Sequence, residues 1–153
     1  MTEKMKYDVA NSTGVLLARA SQLMRLGLNR KFSSAGCLAT AEQWKVLIAL
    51  WQADGLTQQE LTERVFKSKA SMTKLIDGLE QRELVLRKSD PTDRRSKRIY
   101  LSVKGMTELE SLMVLAKQNL VQAEKGISEG ELEVFKKVLK QVICNMEENH
   151  DEK

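Results

Sequence analysis

Two short stretches of the sequence hold side chains suited to gripping a polyanion. Ser68, Lys69, Ser71, Thr73 and Lys74 fall within seven residues of chain. Short hydroxyls and cations of this kind fit a nucleic-acid groove, where they meet base edges and phosphates. Further on, the twelve residues from Arg87 to Arg98 include six Lys or Arg and two Asp, a net +4 that equals the charge of the whole chain. A segment this basic repels itself unless a polyanion lies against it. From Arg64 to Lys104 the net charge is +7, and the rest of the chain is −3. Such localised charge points to a polyanionic partner, although on charge alone a solvated basic surface fits equally well.

Other chemistry finds little support. The only histidine, His150, sits in an acidic tail with Glu147, Glu148, Asp151 and Glu152. Ser71-Met72-Thr73-Lys74 has the Ser-x-x-Lys spacing of serine acylases, but their companion motifs are absent and the chain is short. Cys37 and Cys144 lie in neither metal nor redox spacing, so no metal, cofactor or disulfide is expected and the protein reads as a non-enzyme. No apolar run approaches the roughly 18 residues of a membrane span. The polar start, Met1 to Asp8, is no signal peptide, and a cytoplasmic location without membrane contact is expected.

The elements that must position the two basic stretches follow from periodicity and caps. A first long helix is predicted from about Tyr7 to Phe32, with Leu16, Ala20, Leu23 and Leu28 on its apolar face, ending at Ser33-Ser34-Ala35-Gly36. Thr40 with Gln43 makes a capping box, opening a helix with Trp44, Leu47, Ile48 and Trp51 on one buried face and ending at Asp54-Gly55. Thr57 with Glu60 opens a short helix that buries Leu61 and Val65. After Phe66-Lys67, Ser68 caps the next, which turns Met72, Ile76 and Leu79 inward and Lys69, Ser71, Thr73, Lys74 and Gln81 outward. Two short helices joined by a tight turn are a helix-turn-helix. The period then falls to two: Leu84–Arg87 and Arg98–Leu101 read as strands of a hairpin, with Lys88–Lys97 as its polar tip.

The last third is helical again. Ser102 caps a helix bearing Met106, Leu109, Met113, Ala116 and Leu120, and Gly126 breaks it. Ser128 with Glu131 opens a final helix in which Leu132, Phe135, Leu139, Val142 and Met146 recur at heptad spacing. Such a seam packs against the chain's own helices or against a second copy, and the terminal helices lack obvious cover along their length. The expected fold is mainly α with a small β-hairpin wing: a winged helix-turn-helix with N- and C-terminal dimerisation helices. Residues 1–39 form the first dimerisation helix and loop, 40–104 the DNA-binding lobe and 105–153 the C-terminal dimerisation helices, within one compact domain.

Ser68-x-Ala70-Ser71-Met72-Thr73-x-Leu75-Ile76-Asp77-x-Leu79-Glu80, then Asp93-Arg94-Arg95-Ser96 and Leu101-Ser102-x-x-Gly105, resemble the MarR (multiple-antibiotic-resistance regulator) family, and the order of elements matches along almost the whole chain. The resemblance implies a homodimeric transcription regulator on double-stranded DNA, with the helix from Ser68 in the major groove and the hairpin tip in the adjacent minor groove. Arg94 or Arg95 would enter the minor groove, with Arg95 favoured, because arginine suits a narrow and strongly negative groove. Asp93 would accept hydrogen bonds from a wing arginine and fix its direction. Lys69, Lys97 and Arg98 would contact phosphates, and Ser71, Thr73 and Lys74 base edges. Glu83 departs from the family's usual glycine at a place where a helix end often needs a left-handed residue. Ser102 replaces the usual threonine as a cap.

The family commonly responds to small aromatic or phenolic compounds, and Met24, Trp44, Trp51 and Met113 are the candidates for lining such a site, although for each taken separately ordinary core is the stronger reading. Peroxide sensing at Cys37 is the alternative signal, but neither Lys31 nor Lys45 is assured of proximity, so a lowered pKa has no support; Cys144 reads as structural. A coiled-coil adaptor docking acidic partners is the alternative of another class. It leaves the segment from Ser68 to Glu80 unexplained.

Overall fold

A computed structural model describes residues 8–65 and 67–148. Tyr7 at the expected first-helix start, Phe66 in the helix-turn-helix and His150 in the tail lie outside the described residues. The chain divides into two compact units, Met1–Asn119 and Leu120–Lys153, the boundary falling within a helix.

In the first unit a 3-10 turn, Val9–Asn11, precedes helix α1, Thr13–Ser34. The start expected at Tyr7 is corrected to Thr13, because the Ser12 hydroxyl accepts the Val15 amide and caps the helix there. The break expected at Ser33 comes two residues later. Gly36, at φ 72°, ends α1 with paired hydrogen bonds from Cys37 N to Phe32 O and from Gly36 N to Ser33 O. Helix α2 (Ala41–Gln52) carries the full Thr40/Gln43 capping box. Its buried residues are Ala41, Gln43, Val46, Leu47, Ala49 and Leu50. Trp44 and Ile48 are only half-buried and Trp51 is 53% exposed, so the face predicted from Trp44 to Trp51 lies to one side of the true one.

A two-residue strand, β1 (Leu56–Thr57), leads into α3 (Gln58–Val65), and Ser68 caps α4 (Lys69–Gln81). The hairpin is β2 (Val85–Ser89) and β3 (Lys97–Leu101), longer at the tip end than Leu84–Arg87 and Arg98–Leu101. All three strands form an antiparallel sheet in the order β1-β3-β2, with Leu56 opposite Ile99 and Lys88 opposite Arg98. Helix α5, Val103–Ala123, follows. The core joins these layers: Phe32, Leu47, Leu50, Leu61, Met72, Ile76, Leu79, Leu84, Ile99, Leu109 and Leu112 are essentially inaccessible to water. The result is a mainly helical winged helix-turn-helix with a small three-stranded sheet, β1 being the strand that periodicity over two residues cannot reveal.

The junction between α4 and the wing is tightly specified. Leu84 N donates to Leu79 O and Glu83 N to Glu80 O, which places Glu83 in the left-handed region at φ 63°. Ser102 then ties the wing's end to this corner, its amide donating to Leu84 O and its hydroxyl to Glu83 O. Gly105 packs so closely that any Cβ would overlap the Leu84 carbonyl oxygen. The Leu-Ser-x-x-Gly motif is therefore a backbone joint.

The second unit holds the end of α5, a turn at Gly126 (φ 82°) and α6, Glu129–Glu148. The Ser128/Glu131 capping box forms as expected, through 2.8 and 3.2 Å bonds. No residue of α6 is buried; Leu132, Leu139 and Val142 are half-covered, while Phe135, Val138, Ile143 and Met146 are more than half exposed.

Candidate nucleic-acid interface

Helix α4 sorts its side chains sharply. Met72, Ile76 and Leu79 are buried, and Lys69, Ala70, Ser71 and Lys74 are exposed. Ser68 is committed to the cap: its hydroxyl accepts the Ser71 amide at 3.1 Å and donates to Ser71 Oγ at 3.0 Å. The Ser71 hydroxyl proton has no acceptor among the described residues. Thr73, expected outward, is half-buried at the α3 side, where it donates to Lys69 O and accepts from Gln58 Nε2. Ala70 is exposed beside these groups and was not anticipated, since an alanine gives no chemical signal in sequence.

The six cations of the hairpin separate into four with partners and two without. Arg87 is clamped to α4, its Nη2 2.6 Å from Asp77 and its Nη1 3.1 Å from Glu80. Lys88 lies over the Tyr100 ring at 5.1 Å, a cation–π distance. Lys97 donates to Ser89 Oγ at 3.0 Å. Arg98, expected on a phosphate, is held inside the wing: Nε meets Asp90 Oδ2 and Nη1 meets the Gly55 carbonyl, both at 2.8 Å. Among the described residues of the hairpin, the guanidinium groups of Arg94 and Arg95 at the tip have no partner, and both are exposed.

Asp90 is the organiser of that tip. Although only 6% exposed, it accepts from the Thr92 amide and hydroxyl at 2.9 and 2.8 Å as well as from Arg98. The Thr92 bonds first, and Arg98 after them, hold its carboxyl below the ordinary aspartate range against the opposing effect of burial. The arginine-fixing role expected of Asp93 thus falls to Asp90. Asp93 Oδ1 instead accepts the Arg95 backbone amide at 3.0 Å, shaping the turn that presents Arg94 and Arg95. The Asp-Pro-Thr turn was the available signal for Asp90, because an aspartate commonly bonds the backbone two residues on.

The MarR family model matches residues 39–97. The HTH-type transcriptional regulator MhqR of Bacillus subtilis (strain 168) is 27% identical over 137 residues, 90% of this chain and 93% of that protein. The crystal structure of transcriptional regulator PA3341 is 33% identical with a TM-score of 0.78, covering 90% of this chain and 99% of that one. A cysteine-to-serine variant of MarR from E. coli, complexed with operator DNA, is 25% identical with a TM-score of 0.80, covering 89% and 99%. The chain belongs to the MarR family. It is a DNA-binding transcription regulator and not an enzyme.

The remaining candidate residues of this MarR protein are scattered. Trp44 meets Phe32 edge-on, with ring centres 6.0 Å apart, and lines an open cleft of about 480 Å³ with Ile48, Val65, Lys45 and Arg64. Met113 is half-buried against the core, whereas Met24 and Trp51 stand exposed. Cys37 is half-buried; burial, then the Glu108 carboxylate, pushes its thiol up, opposite to the shift that makes a peroxide-reactive thiolate. Cys144, expected to be structural, is exposed on α6, where its thiol meets Glu148. Among the described residues no group of His, Cys, Asp and Glu could hold a metal ion, and no helix is long and apolar enough to cross a membrane.

Proposed function

We propose that this MarR-family protein binds a pseudo-palindromic operator as a homodimer, α4 entering the major groove and the wing tip the adjacent minor groove. The observation that carries the reading is that Arg94 and Arg95 are exposed and have no partner among the described residues, on a wing whose other cations each have one. Arginines left free on a braced hairpin suit a narrow, negative groove. Lys69 and Lys97 contact phosphates, and Ser71 and Lys74 meet base edges. The apolar side chains exposed on α1 (Val15, Leu16, Leu23) and on α6 (Phe135, Val138, Ile143) supply the dimer surface. A two-fold dimer sets its recognition helices one DNA turn apart, about 34 Å.

Release follows from a small aromatic or phenolic effector bound near Trp44, with Met24, Trp51 and Met113 contributing once a second subunit covers the two exposed side chains. The effector favours the conformation whose helix spacing does not fit DNA, so differential affinity drives the shift. Hydroxyl-radical footprinting on the region upstream of the gene tests the binding mode. Two protected patches one turn apart, with flanking minor-groove protection lost in Arg94→Ala/Arg95→Ala, are expected. A single patch, or flanking protection that survives the double substitution, would overturn it.

A further inference from the structure

Thr73 and Gln58 together leave a specific pattern of unused hydrogen-bonding groups beside α4. The Thr73 hydroxyl has one proton, which it donates to the Lys69 carbonyl at 3.0 Å. It must therefore accept, not donate, in its 2.6 Å bond to Gln58, which fixes Nε2 of Gln58 as the atom facing it. An amide has two N–H donors and one carbonyl oxygen. With one donor used, Gln58 retains one N–H and Oε1, neither with a partner among the described residues.

We infer that Gln58, at the first position of α3, reads an adenine in the major groove, and that Thr73 is the positioning residue that orients it. Adenine offers N7 as acceptor and its N6 amino group as donor, the complement of what Gln58 has left. A phosphate, which only accepts, would leave Oε1 facing negative charge. It would also crowd the Glu60 carboxylate, which already occupies this end of α3 through a 2.7 Å bond from the Thr57 amide. The hydroxyl of Thr73 thus contributes to specificity without touching DNA. The inference rests on α4 being the recognition helix.

The test begins with the unaltered protein. Duplexes are selected from a random library, and each adenine of the selected site is replaced singly by 7-deazaadenine, which lacks the N7 acceptor. One adenine per half-site should lose about tenfold in affinity, as expected for loss of a base contact. Gln58→Ala should erase that discrimination while preserving preferences elsewhere. Thr73→Val should blunt it and Thr73→Ser keep it, with thermal unfolding confirming that each variant is folded. Gln58→Ala that weakens all duplexes equally would assign Gln58 to a phosphate and overturn the inference, as would an unaltered preference at every adenine. Lys74→Ala that leaves affinity and preferences intact would instead remove α4 from the groove, and the reading of Gln58 with it.

Discussion

Asp90 decides the geometry of the wing tip through three hydrogen bonds made by one carboxylate. Because its folded-state pKa lies below its ordinary value, the stability it adds is present above the ordinary range and is lost as pH falls through the lowered value. Asp90→Asn should therefore unfold at a lower temperature than the unaltered protein at about pH 6, with the gap closing below about pH 4. A gap unchanged at about pH 3 would contradict the role given to Asp90. At the tip itself, Arg95→Ala should weaken operator binding by about 1–3 kcal/mol in an equilibrium titration, and affinity left intact would count against the minor-groove assignment. The capping boxes at Thr40, Thr57 and Ser128 were legible in the sequence because their partners stand three residues apart. The Asp90–Arg98 pair was not, since strand register alone brings those residues together.

At the level of elements, the joint between α4, the wing and α5 carries more constraint than any single strand. Gly105→Ala would force a Cβ into the Leu84 carbonyl, and the backbone there is fixed by Ser102. A destabilisation of about 3 kcal/mol or more in denaturant unfolding is expected, beyond ordinary overpacking. Glu83 offers the opposite case. It adopts φ 63° at the helix end, so Glu83→Gly should stabilise by roughly 0.5–1 kcal/mol, the exposed pair with Lys104 counting for little. A lower midpoint in that variant would contradict the strain argument. The departure at Glu83 was visible in sequence because the glycine it replaces has a known conformational task. Trp51 misled the reading of α2 for a physical reason: it shares a helical stripe with Trp44 and Ile48, but the core lies under Val46 and Leu50. Strand β1 was missed because two residues carry no period.

For the whole molecule, the exposed apolar side chains of α1 and α6 make association the main open consequence. Phe135→Glu, made together with Val138→Glu, should shift sedimentation from dimer toward monomer and reduce operator affinity through lost two-site binding. A sedimentation profile unchanged by both substitutions would place the dimer surface elsewhere. The sequence revealed these helices and their heptad spacing, yet periodicity could not distinguish an intrachain seam from an intermolecular one. Sequence-specific binding by α4 and the wing is measured by fluorescence anisotropy. The upstream palindromic duplex and a scrambled duplex are titrated at several salt concentrations. Binding should favour the palindrome by about 10³-fold or more and fall steeply with salt as Lys and Arg release counterions from the phosphates. Equal, weak binding to both duplexes would rule out sequence-specific binding by α4 and the wing.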